Sequence, residues 1–315
     1  MTERSLTYAL VTPARNEEAF IGETIQSVIR QTILPVRWVI VSDGSTDRTD
    51  EIVRKYHEQY LWIDYVRMPE RSTRNFAAKV ACFNAGMQRL DGTSYDIIAN
   101  LDADITFEAD YFEYLLGKLA EQPMLGVAGT PFVEDGDASY DYRYANIEHV
   151  SGACQLFRRK CFDEIGGYMP IKGGGIDWVA VTTARMKGWQ TRTYTEKICV
   201  HHRKMGTARG GICAARFRLG REDYYLGSHP LWAFLHALSQ MRYRPFVLGG
   251  LCIGLGYLSS AVRRIDRAVS PELLRFHRKE QMLRLRRIAA RSFKRYEESA
   301  RVPQAGGEGS SRGGR

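Results

Sequence analysis

The first hundred residues alternate short apolar runs with amphipathic stretches, and this alternation restricts the fold of the 315-residue chain more than any other feature. Residues 8–12 form a strand-like run ended by Pro13. Phe20, Ile21, Ile25, Val28 and Ile29 then recur at helical spacing until Pro35. Residues 36–42 read as a second strand, closed by the turn signal Asp43-Gly44. Thr46 and Asp47 can cap a helix that carries Ile52, Val53 and Tyr56. A third strand over 62–66, a helix over 76–90 and a fourth strand over 96–101 complete a βαβαβαβ order. That order predicts an α/β fold with a mainly parallel sheet and helices on both faces. Right-handed crossovers line up the strand C-termini along one edge, where ligands sit in such sheets.

The polar clusters fall on that edge. Pro13-Ala-Arg-Asn-Glu-Glu18 follows the first strand, Ser42-Asp-Gly-Ser-Thr-Asp47 the second and Asp102-Ala-Asp104 the fourth. Two carboxylates one residue apart after an apolar strand suit Mg2+ or Mn2+, hard cations that complete their shells with substrate phosphates. A solvated turn with a capping Asp would also account for D-x-D alone; its place beside two other polar clusters favours the metal reading. Asp43 can be a turn former or an acceptor for a base N–H, and Glu17 a first-turn charge or a contact to a ribose hydroxyl. No G-x-G-x-x-G or G-x-x-x-x-G-K-[ST] occurs after a strand, so dinucleotide and P-loop chemistry are not indicated.

Further along, residues 130–150 read as a loop, and 191–195 and 198–200 as strands, the latter ending at His201-His202-Arg203-Lys204. Asp177 follows three glycines and opens a helix. It is either an N-cap or a general base within reach of an acceptor hydroxyl. A histidine pair beside two cations suits metal ligation or diphosphate contact as well as a structural role. Lys79 and Asn84 are five residues apart on one helix, about 140° around its axis, so they do not share a face.

Charge divides the chain. Residues 1–200 hold 22 Lys and Arg against 28 Asp and Glu, whereas 201–315 hold 23 against 8. The basic second half suits nucleic acid or an anionic membrane face. It contains the uncharged run 245–262, at the lower limit for spanning a bilayer and weakened by four glycines, then an Arg- and Leu-rich helical stretch over 271–296. Over 263–301 there are 13 Lys and Arg against 5 Asp and Glu, which suits a solvated helical face as well as a membrane-surface role. The tail from Pro303 is disordered by composition. Six scattered cysteines without C-x-x-C fit a reducing compartment and no zinc ribbon, and charged Arg15 and Glu17 interrupt the start before an apolar run of secretory-leader length.

Together, P-x-x-N-E at Pro13–Glu17, S-D-G-S-T-D at Ser42–Asp47, A-K-x-A-x-x-N at Ala78–Asn84, D-A-D at Asp102–Asp104 and Gly-Gly-Ile-Asp177 resemble family 2 glycosyltransferases of the GT-A fold. The resemblance covers residues 6 to about 204. It implies an inverting transfer with Asp177 as catalytic base. It also implies nucleotide-sugar binding by Pro13, Ala14, Glu17, Asp43 (on the base), Lys79, Asn84 and Asp102 (near the ribose), with a divalent metal at Asp104; the basic cluster at the strand end adds Arg203 on the nucleotide-sugar and His202 on the metal, with the choice between His201 and His202 open. The carboxylate that many members carry before the catalytic Asp is Ile176 here, and no Q-x-x-R-W follows, so processive polymer synthesis is not supported.

The expectation is therefore a metal-dependent, inverting glycosyltransferase with a GT-A domain over 1–204, a helical membrane-associating extension over 205–302 and a disordered tail over 303–315. Its partners are a nucleotide-sugar donor, a saccharide or lipid-linked acceptor of surface polysaccharide or glycoconjugate assembly, and a membrane surface; no nucleic acid is expected. Its expected place is the cytoplasmic membrane face, held peripherally or by a single segment. The alternatives are a nucleotidyltransferase acting on a sugar phosphate and a non-catalytic nucleotide- or saccharide-binding protein.

Overall fold

The structure, a computed structural model, describes residues 5–70, 76–134, 147–171, 173–203 and 211–300. The first half runs β1 (Tyr8–Ala14), α1 (Ile21–Ile29), β2 (Arg37–Asp43), α2 (Thr49–Gln59), β3 (Ile63–Met68), α3 (Phe76–Arg89), β4 (Ile97–Leu101), β5 (Ile105–Phe107) and α4 (Tyr111–Glu121). It continues through β6 (Leu125–Gly129), β7 (Phe132–Glu134), β8 (Cys154–Arg158), α5 (Arg159–Ile165), α6 (Ile176–Met186), β9 (Gln190–Thr193) and β10 (Cys199–His201). Four helices follow: α7 (Ile212–Tyr225), α8 (Pro230–Gln240), α9 (Leu248–Val262) and α10 (Pro271–Ala300).

Seven strands form one sheet in the order β3-β2-β1-β4-β8-β6-β9. The expected parallel block β3-β2-β1-β4 is present, and β8 is antiparallel to both β4 and β6. Strand alternation divides the core into two layers. Tyr8, Leu10, Trp38 and Ile40 face α1, α2 and α4, whereas Ala9, Val11, Val39 and Val41 face α3, α5 and α6. This is why β1 and β2 read as continuous apolar runs: both of their faces are covered. The buried Trp38 indole N–H donates to Thr12 Oγ1 at 2.9 Å, which avoids the ~1–3 kcal/mol cost of an unpaired buried donor. Where α4 ends, the Arg158 guanidinium donates to the Leu119 carbonyl at 2.6 Å and so satisfies a terminal acceptor.

A second, three-stranded sheet, β5-β10-β7, stands beside the C-terminal edge of the first. β7 lies within the stretch that reads as a loop in the sequence. The C-terminal helices pack back onto the sheet layers. Leu226, Val269 and Leu273 belong to the same buried cluster as α3, α5 and α6. Arg185 of α6 forms a two-pronged pair with Glu280 of α10, at 2.8 and 3.1 Å.

The uncharged run 245–262 does not form one helix. α9 begins at Leu248 and has 15 residues, about 22 Å at 1.5 Å per residue, against ~30 Å of bilayer hydrocarbon. Among the described residues no helix is long and apolar enough to cross a membrane. Lys204 and the 303–315 tail lie outside the described residues.

Candidate active site

The loops after β1 and β2 are fastened to each other by side chains that the sequence offers as turn formers. Asn16 N donates to Ser45 Oγ at 3.1 Å, and Thr46 N donates back to Asn16 Oδ1 at 2.9 Å. Glu17 N donates to Thr49 Oγ1 at 2.7 Å, and Glu18 N to Asp47 Oδ2 at 3.1 Å. Asp47 also accepts from the Thr49 amide at 3.0 Å at the start of α2, although the N-cap position itself is Arg48. Gly44 has φ +60°, and a Cβ there would lie 2.5 Å from Glu70 Cα, so this turn admits only glycine.

The Asp102-Ala-Asp104 turn is held from three sides. The Asp102 amide donates to the Ala153 carbonyl at 2.9 Å, and Thr24 Oγ1 donates to the Ala103 carbonyl at 2.9 Å. The His202 amide donates to the Asp104 carbonyl at 3.0 Å. The two carboxylates are thereby fixed in different surroundings. Asp102 Oδ1 accepts from Lys79 Nζ at 2.5 Å. Burial pushes the Asp102 carboxyl above its ordinary value, with Asp104 adding to this and Lys79 opposing it. Burial pulls the Lys79 ammonium down, yet Asp102, Asp177 and Asp104 together carry it above the usual lysine value. Of these three carboxylates, Asp102 is the one in contact with Lys79.

Asp104 is buried. His201 Nε2 lies 3.6 Å from its Oδ1 and Arg203 Nε 3.7 Å from its Oδ2. Arg203 also pairs with buried Glu17, and so bridges the first loop to the D-A-D turn. Asp43 is buried at the end of β2, with Arg15 3.5 Å from its Oδ2. Pro13 and Ala14 end β1 in register with Val41 and Ser42.

The structure sets two of the expected site residues apart from the Asp104 and Lys79 side chains. His201, not His202, presents its ring to Asp104, because the pairing His201↔Ile105 sets it beside the residue before Ile105. The next residue, just past the end of β10, continues the alternation and turns its side chain to the opposite face. His202 Nε2 instead meets Thr106 Oγ1 at 2.8 Å, and its ring stacks on Phe20. Asn84 is exposed on α3, away from the Lys79 side of that helix.

The imidazole and carboxylate at His201 and Asp104 fit a divalent ion of the Mg2+ or Mn2+ kind. His201 Nδ1 is a buried atom without a hydrogen-bond partner. Among the described residues no three His, Cys, Asp or Glu side chains gather to hold a metal by themselves. An ion here would complete its shell with water and phosphate oxygens.

Asp177 is not the N-cap of α6. Gly174 and Gly175 take φ +98° and +79°, Gly175 occupies the cap position, and Asp177 lies in the first turn. Its Oδ2 accepts from Gly152 N at 3.0 Å. A Cβ at Gly152 would come within 3.0 Å of Asp177 Cβ, so the glycine is what permits this approach. The Gly152 carbonyl in turn accepts from Asn100 Nδ2 at 2.8 Å, which ties the Asp177 support to β4. A buried pair sets the height of this segment. Gln155 donates to the Val150 carbonyl and accepts from the Tyr168 hydroxyl, each at 2.7 Å.

Sequence reasoning missed Gly152, Gln155 and Glu222. A Cβ at Gly173 would lie 3.1 Å from Tyr225, and one at Gly175 2.9 Å from Leu226, so the end of α7 seats on the glycine turn that opens α6. Glu222 is three and four residues before these contacts, on the same helix face. Burial, with Asp177 and Asp223 nearby, pushes its carboxyl up to about 7. The only sequence signal for it is its helical spacing to Tyr225 and Leu226.

Residues 9–150 match the family model described as Glycosyl transferase family 2. Over 170 residues the chain is 30% identical to Glycosyltransferase GlyA of Streptococcus pneumoniae, covering 50% of this chain and 23% of that protein. Over 179 residues it is 30% identical to the probable glycosyltransferase YdaM of Bacillus subtilis, covering 56% and 38%. The chain thus spans less than two fifths of the length of these curated relatives. Among solved structures it is similar to the mannosyltransferase PcManGT of Pyrobaculum calidifontis in complex with GDP-Man and Mn2+, with TM-score 0.55, 18% identity and coverage of 90% and 81%. The architecture is the GT-A fold, and the family resemblance carried by the motifs is borne out.

Proposed function

We propose that this chain, with its family 2 glycosyltransferase match over residues 9–150, transfers a sugar from a nucleotide-sugar donor to a saccharide or lipid-linked acceptor with inversion, in polysaccharide or glycoconjugate assembly at a membrane face. The observation that supports this reading is the set of buried acidic groups at the ends of β1, β2 and β4, with Lys79 on Asp102 at 2.5 Å and Arg203 joining Glu17 to Asp104.

In this reading Asp43 accepts from the base of the nucleotide, and Glu17 and Asp102 receive the ribose hydroxyls. Arg203 and Lys79 face the diphosphate. A divalent cation at Asp104 and His201, as the Mn2+ of the similar mannosyltransferase suggests, would offset the charge that develops on the departing nucleoside diphosphate. Asp177 takes the proton of the attacking acceptor hydroxyl. The hydroxyl oxygen bonds to the anomeric carbon as the bond to the diphosphate breaks on the opposite face, so one base suffices and configuration inverts. The Gly152 amide holds Asp177 by one oxygen and leaves the other for the acceptor.

A screen of nucleotide-sugars with and without Mg2+ or Mn2+, read as thermal stabilisation and then as product release, tests the reading. Metal-dependent stabilisation and release of nucleoside diphosphate are expected, with Asp177→Asn keeping donor binding and losing about 10²–10⁴-fold in transfer rate. Release of pyrophosphate, or full turnover by Asp177→Asn, overturns it.

A further inference from the structure

α9 is packed inside out for a helix on a water-soluble surface. Its inward face is made of Gly249, Gly250, Ile253, Gly256 and Ser260, and its large side chains point away from the protein. Leu248, Leu251, Leu255, Leu258 and Val262 are 46–74% exposed. Their spacing of three and four residues places them on one continuous stripe. α8 repeats the pattern: Ala233 and Ala237 face in, while Leu231, Phe234, Leu235 and Leu238 are 38–60% exposed.

The small residues are there for close backbone approach. A Cβ at Gly250 would lie 2.3 Å from the Ala237 carbonyl oxygen, one at Gly256 2.1 Å from that of Phe217, and one at Gly220 1.9 Å from that of Ile253. Helices that associate through glycine with leucine outward are arranged as in lipid, where apolar burial between helices gives no advantage and backbone contact does. An apolar surface of this extent is otherwise a binding face.

Charge identifies the partner. No Asp or Glu occurs from residue 224 to 265, while Arg242 and Arg244 precede α9 and Arg263 and Arg264 follow it. All four arginines are exposed. Two copies meeting through this face would bring these cations together, whereas an anionic lipid surface accepts both the leucines and the arginines.

We propose that the outward face of the α8–α9 hairpin lies in the plane of an anionic lipid bilayer, its leucines among the acyl chains and its flanking arginines on the headgroups, without crossing. This rests on the reading of the basic second half as the membrane-facing part and names the surface that makes the contact. α7 packs against α9 on one side and meets the glycine turn before α6 through Tyr225 and Leu226 on the other.

The test is flotation of the full chain with phosphatidylglycerol-containing vesicles and with pure phosphatidylcholine vesicles. The wild type is expected to float with the anionic vesicles. Combined Leu251→Gln, Leu255→Gln and Leu258→Gln should lower the bound fraction at least tenfold, with an unchanged melting temperature and unchanged nucleotide-sugar binding. Arg263→Gln with Arg264→Gln should weaken binding and flatten its salt dependence. If the wild type ignores anionic vesicles, the membrane reading and this surface both fall. If it binds and the triple Leu variant binds equally, the membrane reading stands and this surface is wrong. Self-association that the triple variant abolishes, without vesicle binding by the wild type, assigns the face to a second copy and overturns the proposal. None of these outcomes bears on the sugar-transfer reading, which is judged by product release.

Discussion

Replacing Glu222 by Gln should stabilise the protein at alkaline pH and leave it nearly unchanged at acid pH. Burial, with Asp177 and Asp223 close by, raises the Glu222 carboxyl from 4.5 to about 7. Between those two values the folded chain keeps a proton that the unfolded chain has released, so stability falls as pH rises through that interval. Above it the folded state carries an ionised carboxylate in poor surroundings. At 1.36 kcal/mol per pH unit the interval corresponds to about 3 kcal/mol, and partial exposure of the side chain reduces the expected cost to about 1–2 kcal/mol. Glutamine keeps the shape of the protonated acid and removes the cost. Thermal melts at pH 5 and pH 8.5 should show Glu222→Gln raised by about 2–5 °C at the higher pH and within about a degree of wild type at the lower. Equal shifts at both pH values, or a loss at pH 8.5, would refute the reasoning, since neither follows from relieving an ionised carboxylate.

Three further outcomes follow from the geometry. His201→Ala should weaken metal-dependent donor stabilisation by on the order of tenfold or more, whereas His202→Ala should leave the metal concentration dependence unchanged; the reverse order in a metal titration would restore His202 to the site. Gly152→Ala, whose Cβ would press on Asp177 at 3.0 Å, should cut the transfer rate about tenfold or more while donor affinity stays within about twofold, as separate kcat and binding measurements would show. Gly256→Val should destabilise by about 3 kcal/mol or more in urea unfolding, because its Cβ would lie 2.1 Å from a backbone oxygen of α7; an unchanged midpoint would mean that α7 and α9 are not in contact.

Strands β1, β2 and β4 were legible because both of their faces are covered, which writes their burial into nearly uninterrupted apolar runs. The loops were legible too, since Asn16, Ser45, Asp47 and Gly44 have local work at the strand ends. β8 was not. Its five residues run straight into α5 without a breaker, and its partner in β4 is more than fifty residues away. Helical arithmetic separated Lys79 from Asn84 correctly, and the structure then decides which of the two turns inward. Strand alternation says that only one of His201 and His202 can face Asp104; the register with β5 decides which. For α9 the spacing of leucines defines a stripe, but whether that stripe faces the protein depends on the carbonyls of α7 and α8 that meet its glycines. Glu222 and Gly152 act through contacts between distant segments, and no local pattern announces such contacts.

The burial of Leu226, Val269 and Leu273 in one cluster with Phe83, Phe157 and Val179 leaves the chain without a seam. Trimming it after the last strand would strip three apolar plugs from beneath the sheet and take away the turn of helix that props the Asp177 side of the cleft. The C-terminal helices and the turn before Asp177 therefore share one buried core, with the end of α7 between them.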